Sequence, residues 1–306
     1  MVALAIMLAL ITAYVPMLGI LGLVVSVPYA IIGTLTNIRY SILSIIVTFL
    51  TLMISVDPIY ALNICILSAM PGIAIGNMAR KNMIEEEYNK FEPIYLGTIA
   101  FVVCTIIFFF VSKVIFNINL IDEFMGIIND SIKVQLDMMK NANINITESL
   151  NPNDIVNYVR NMIPTLLFFQ GMILAFITYY LETFILRRIK RVNLQIPKFA
   201  DFYLPGNAVA SSFMLYLLVL FIEIIGLNLH TELIMINLQS VFNFMFMAQG
   251  IAVCIYYIRK WIRQGSAKMI VFGSLILCIT GFMGVSFIGM LDSIIDFRKV
   301  RSYKSI

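Results

Sequence analysis

One histidine and one tryptophan stand in 306 residues, so chemistry that depends on clustered imidazoles has nothing to draw on. The four cysteines, Cys65, Cys104, Cys254 and Cys278, each fall inside an apolar run with no CxxC spacing. Neither a zinc site nor a disulfide framework is expected from that pattern, and the thiols read as small buried hydrophobes. His230 lies in a short polar link beside Thr231 and Glu232, a solvated position rather than that of a catalytic base. The nucleophile elbow GxSxG, the zinc motif HExxH, the P-loop and the glycine-rich dinucleotide fingerprint are all missing. No enzymatic activity and no cofactor are therefore expected, and any ATP-driven step would need another chain. Charge is scarce as well: 12% of residues are charged, for a net +4. The cations form no basic groove interleaved with aromatics, so nucleic acid is not an expected partner.

What fills the chain instead is apolar side chain. Hydrophobic residues make up 61% and the mean hydropathy is +0.95, against about 45–50% apolar residues in soluble domains. The expected solvent is a lipid bilayer. A helix needs about 20 apolar residues to cross one, and candidate spans lie near 17–33, 40–55, 58–77, 94–115, 162–185, 207–226, 233–257 and 269–291, with a shorter apolar piece at 1–14. The fold class read from this ladder is all-α, a polytopic transmembrane bundle of about eight to ten spans. It divides into an N-terminal membrane half (1–115), an extracytoplasmic amphipathic loop (116–160), a C-terminal membrane half (161–297) and a basic tail (298–306).

Thirteen of the 21 Lys and Arg sit in four links: Arg39; Arg80, Lys81 and Lys90; Arg187, Arg188, Lys190, Arg191 and Lys198; and Arg259, Lys260, Arg263 and Lys268. The intervening links hold only Lys133, Lys140 and Arg160. By the positive-inside rule, loops 78–92, 186–205 and 258–268 are expected in the cytoplasm and 116–160 outside. One end conflicts. A single crossing by 269–291 would carry Arg298, Lys299, Arg301 and Lys304 outward, whereas a bend at Gly281 or Gly284 would make a hairpin and return them. Both readings stay open. In the outer loop, Leu120, Phe124, Ile128 and Ile132 repeat at helical intervals against Asp122, Asp130 and Lys133, the pattern of a surface-lying amphipathic helix.

Polar side chains inside spans turn inward, to partners or to a cavity. Gly171, Ala175, Thr178 and Glu182 share one face of 162–185, and Ala208, Ser212, Tyr216 and Glu223 share one of 207–226. Gln239, Ser240, Asn243 and Gly250 cluster on 233–257, and Gln170 and Gln249 each precede a glycine. Helix packing explains such stripes as readily as a ligand does. The candidate cavity residues are Glu223, Tyr216, Ser212, Asn243, Gln239, Gly171, Thr178 and Gln170, with Glu223 singled out because a carboxylate in a span costs about 2.5–3.5 kcal/mol at the centre. Ala5, Ala9 and Ala13 repeat every fourth residue, and Gly72 and Gly76 form GxxxG. Both patterns let a neighbouring helix approach closely, within the chain or from a partner.

Several short segments, in order along nearly the whole chain, carry a resemblance: Tyr14-Val15-Pro16-Met17-Leu18-Gly19 and Val27-Pro28; Pro71-Gly72-Ile73 through Gly76 before Arg80-Lys81; Phe202-Tyr203-Leu204-Pro205; Gln249-Gly250; and Gly289-Met290-Leu291-Asp292 before Asp296-Phe297-Arg298-Lys299. Together they resemble the YybS-type family of bacterial membrane proteins. Two departures stand out. The first helix is shorter than in that family, as if the chain began at an internal Met, and Tyr203 stands where the family tends to carry Trp. The resemblance implies a multi-pass protein of the bacterial plasma membrane, similar in architecture to the substrate-binding S components of energy-coupling-factor transporters. It further implies that Ala5, Ala9 and Ala13 dock a coupling subunit while an unknown small molecule binds near the outer face. The alternative it leaves is a membrane scaffold or regulator, for example in cyclic-dinucleotide signalling, that works through a signalling subunit and carries no substrate.

Overall fold

The computed structural model describes residues 1–84, 90–141, 152–189, 198–204, 207–226, 230–264 and 267–300. Lys190, Arg191, Pro205, Arg301 and Lys304 lie outside the described residues. Among those described, every regular element is helical. Six helical segments are long and apolar enough to cross a membrane: Pro16–Leu35, Ile38–Ser55, Pro58–Met83, Glu92–Phe116, Ile163–Arg188 and Thr231–Arg263. Val2–Tyr14, Ala208–Ile224 and Met283–Ile295 are apolar but shorter. The chain is thus an all-α, multi-pass helical protein, and it divides into two compact units, Met1–Ile196 and Pro197–Ile306.

The first unit runs α1 (Val2–Tyr14), a 3-10 stretch (Pro16–Val24), α2 (Ser26–Leu35), α3 (Ile38–Ser55), α4 (Pro58–Ile64), a π turn (Cys65–Ala69), α5 (Met70–Ile84), α6 (Glu92–Phe116), α7 (Leu120–Asn141), α8 (Pro152–Asn161) and α9 (Ile163–Arg188). Local chemistry marks the joints. Asp57 accepts the Tyr60 amide at 2.8 Å with Pro58 at the first helical position, an N-cap followed by the residue best suited to N1. Asn117 ends α6 in the left-handed region at φ 54°, where asparagine is the usual substitute for glycine. The central helix is α2, whose residues from Ser26 to Thr34 are all buried. It lies so close to α5 that a Cβ on Gly76 would come 2.0 Å from the Ala30 carbonyl oxygen, and one on Gly72 2.5 Å from that of Ser26. The GxxxG repeat is a contact within the chain.

The alanine repeat of α1 has the same fate. Ala5 and Ala9 have no exposed surface and pack with Leu52, Ala61 and Ile64, while Tyr60 donates its hydroxyl to the Ala9 carbonyl at 2.6 Å. Ala13 is half-buried. The stripe that the resemblance assigns to docking is thus covered at Ala5 and Ala9 by α3 and α4 of the same chain.

The second unit consists of a 3-10 turn (Phe199–Asp201), α10 (Ala208–Ile224), α11 (Thr231–Arg263) and α12 (Ala267–Ile295). Gly281 breaks α12 with φ 57° and ψ −153°, a backbone conformation essentially restricted to glycine. The contacts beyond the break fix its direction. Ser286 bonds the Asn243 carbonyl, Gly289 sits on Phe246, Asp292 meets Gln249 and Phe297 meets Tyr257, so residue numbers rise together and the second arm runs parallel to α11. The first arm leaves the C-terminal end of α11, places Gly273 on Trp261, and runs the other way. Each arm is about 20 Å long at 1.5 Å per residue, short of the roughly 30 Å hydrocarbon core. Of the two readings open for 269–291, the hairpin is the one adopted, and it brings Phe297 and Arg298 back to the end of the unit where α11 finishes.

Candidate functional site

The second unit holds a cleft of about 450 Å³ between α10, α11 and the second arm of α12. Helical spacing puts its polar groups in pairs: Ser212 and Tyr216 one turn apart on α10, Gln239 and Asn243 one turn apart on α11, with Ser286 opposite on α12. Close backbone packing is what brings Ser286 there. A Cβ on Gly250 would lie 1.9 Å from the Val285 carbonyl oxygen and one on Gly289 1.9 Å from that of Phe246, so only glycine at both positions lets the arm seat against α11. Ser286 then donates to the Asn243 carbonyl at 3.1 Å, and Ser212 turns back to the Val209 carbonyl at 2.7 Å. Those two hydroxyls are occupied. The amides of Gln239 and Asn243 are exposed into the cleft and no hydrogen bond within the chain engages them among the described residues. Tyr216, Phe242 and Phe246 form an aromatic wall, with ring centroids 6.4 and 6.2 Å apart. No lining residue is charged.

Toward the end where α11 finishes, α11 and α12 are clasped to residues 200–204 by a buried polar network. Arg298 pairs with Asp292 at 2.8 Å and also donates to the carbonyls of Ala200 at 2.6 Å and Phe202 at 2.7 Å. Gln249 bridges the other side, donating to Asp292 at 2.8 Å while accepting the Leu204 amide at 3.0 Å. Neither member of the ion pair has more than 1% of its side chain exposed. Arg298 is thus a core residue and not part of a free basic tail. Sequence reading missed this constellation although its signal was present, since Phe202 to Leu204, Gln249-Gly250, Gly289 to Asp292 and Phe297-Arg298 are the later segments that carry the family resemblance.

Of the eight candidate cavity residues, four line this cleft: Ser212, Tyr216, Gln239 and Asn243. Glu223 does not. It is exposed on the last turn of α10, where its carbonyl accepts the amide of Gly226. Gly171, Thr178 and Gln170 belong to α9 in the first unit. Gly171 lets α6 approach, its missing Cβ 3.1 Å from the Thr98 carbonyl oxygen. Thr178 shares a 2.6 Å hydrogen bond with Ser26 of α2, and Gln170 lines a pocket of about 250 Å³ with Phe109, Leu120 and Phe124. The carboxylate that lies deepest in a helical core is a different one, Glu182, which has no exposed surface and accepts the hydroxyl proton of Thr34. Its position one turn beyond Thr178 on the small, polar face of 162–185 was the sequence signal for it.

Residues 3–293 match the family model described as Predicted membrane protein (DUF2232). The chain is also similar to the Uncharacterized protein YybS of Bacillus subtilis (strain 168), at 23% identity over 274 residues, covering 85% of this chain and 82% of that protein. No solved structure matches it.

Proposed function

We propose that this chain, which belongs to the DUF2232 family of predicted membrane proteins, binds a small amphipathic molecule in the cleft between α10, α11 and α12. The observation that carries the reading is the pair of unengaged amides, Gln239 and Asn243, facing an aromatic wall in a volume of about 450 Å³. Concave sites of roughly 300–1,000 Å³, mostly apolar with a few convergent polar groups, are the usual form of small-molecule sites. Because nothing charged lines the cleft, the part of the ligand that enters is neutral and offers hydrogen-bond donors and acceptors to two amides and a phenol. The protein acts without covalent chemistry, as the binding component of a transport system in the bacterial plasma membrane, comparable in role to an S component. A coupling or signalling subunit would then meet a surface other than Ala5 and Ala9.

The cation distribution supports an orientation with 78–92, 186–205 and 258–268 in the cytoplasm and 116–160 outside. The hairpin of α12 supports the same orientation, since it sets Arg298 beside Ala200 and Phe202.

Native mass spectrometry of the full chain, extracted gently from its host membrane, tests the binding reading. A stoichiometric small molecule that is lost on Asn243→Leu and Gln239→Leu but kept on Glu223→Gln supports it. A protein that is empty and carries a stoichiometric partner chain instead favours the scaffold reading and refutes the cleft as a site.

A further inference from the structure

A carboxyl group closed off inside a membrane bundle needs a counter-charge, and among the described residues none pairs with Glu182. Its side chain has no exposed surface, Oε1 meets Thr34, and Oε2 has no hydrogen-bond partner. No ion pair involves it among the described residues. The ionisable groups nearest to it on the neighbouring helices are Tyr29 on α2, Arg80 and Lys81 on α5, Glu92 and Tyr95 on α6, and Tyr179, Tyr180, Arg187 and Arg188 on α9 itself. None bonds to Glu182. Arg80, the cation nearest along α5 to Gly76, spends its guanidinium on the Thr36 carbonyl at 2.8 Å and the Asn37 side chain at 3.1 Å.

Three acceptor oxygens converge on the Thr34 hydroxyl at Glu182. Thr34 Oγ1 lies 3.1 Å from the Ala30 carbonyl, 3.1 Å from the Gly76 carbonyl and in direct contact with Glu182 Oε1. One hydroxyl carries one proton and cannot serve three acceptors. If Glu182 holds a proton, it donates to Thr34, which is then free to donate to a carbonyl. If a sodium ion is held, the same oxygens of Glu182, Thr34 and Gly76 supply lone pairs to it. Thr183 adds a further buried hydroxyl without a partner on the next residue of α9. An isolated ionised carboxylate in such surroundings is disfavoured strongly enough that it is neutralised, and intramembrane carboxyls of this kind mark ion and proton paths.

We propose that Glu182 is the binding site for one small monovalent cation, a proton or a sodium ion, shared with Thr34 and the Gly76 carbonyl. Loading ties α9 to α2 and α5, and release leaves a bare charge that those three helices must move to hydrate. The site lies in the first unit and the ligand cleft in the second, so the two readings fail separately.

The test is infrared difference spectroscopy of the full-length protein in lipid nanodiscs, labelled with 13C-glutamate, together with thermal midpoints in sodium chloride and choline chloride. A protonated carboxyl stretch that shifts with the label, moves on Thr34→Val and vanishes in Glu182→Gln identifies the proton. A midpoint raised by sodium but not by choline, with the effect lost in Glu182→Gln, identifies sodium. If Glu182→Gln does not fold, the labelled wild-type protein and Thr34→Val still decide the matter. Carboxylate bands only, across the whole pH range in which the fold survives, with no sodium dependence, would overturn the proposal.

Discussion

Replacing Arg298 by methionine keeps most of the volume of the side chain and removes everything polar about it. The guanidinium donates to Asp292 through Nη2 at 2.8 Å and Nε at 3.2 Å, and to the carbonyls of Ala200 and Phe202. Methionine therefore strands a buried carboxylate and leaves two carbonyls without their donor. Breaking a buried pair from one side costs about 3–5 kcal/mol, chiefly for the uncompensated charge. A second change, Asp292→Leu, removes that charge. The double variant should regain part of the loss and settle about 1–3 kcal/mol below the wild type, because Gln249 Nε2 then loses its acceptor. Trp261, the sole tryptophan, packs on Tyr257 with ring centroids 5.9 Å apart, and Tyr257 in turn bonds the Phe297 carbonyl at 3.3 Å. Unfolding by detergent titration followed by Trp261 fluorescence thus reports on this unit. Arg298→Met as stable as wild type, or a double variant no better than the single one, would refute the claim that charge burial holds the hairpin end in place.

Gly281→Ala forces a side chain into a backbone conformation reserved for glycine and should cost about 1–3 kcal/mol, read by the same titration. Gly289→Leu has to push its new side chain through the Phe246 carbonyl, so it should part the second arm from α11 and abolish any cleft ligand in native mass spectrometry while the first unit stays folded by limited proteolysis. Ala9→Leu overfills a site with no free surface and should destabilise the purified chain itself by about 1–3 kcal/mol; unchanged stability with loss of a co-purifying subunit would restore the docking reading. Cysteines placed at 299 and in 259–264 should be labelled from the same side of the membrane, and labelling from opposite sides would refute the hairpin.

Much of the ladder was legible because lipid imposes a length and a composition on anything that crosses it. The spans expected near 94–115 and 162–185 are α6 and α9 to within a few residues, and Gly281 was identified as a place where 269–291 could bend. Half of the candidate cavity residues also found one another, since Ser212 with Tyr216 and Gln239 with Asn243 each obey a one-turn spacing that survives into the fold. Glu223 and Glu182 show the limit. Both sit on polar stripes, and periodicity ranks them equally. Which stripe is buried depends on what packs against it, and that is set by α2 and α5, far away along the chain.

Two things belong to the sequence alone: that the chain is a multi-pass helical membrane protein, and roughly where its apolar segments lie. Both follow from local rules, the transfer of side chains into hydrocarbon and the backbone preferences of proline, asparagine and glycine. Tertiary structure decided that the alanine and glycine stripes are spent inside the chain, that α12 turns back instead of crossing, and that Arg298 belongs to a core. Each of those outcomes rests on a contact between residues 40 or more positions apart. Such contacts are chosen by shape and by the need to satisfy buried polar groups, and neither leaves a periodic trace in the order of the residues.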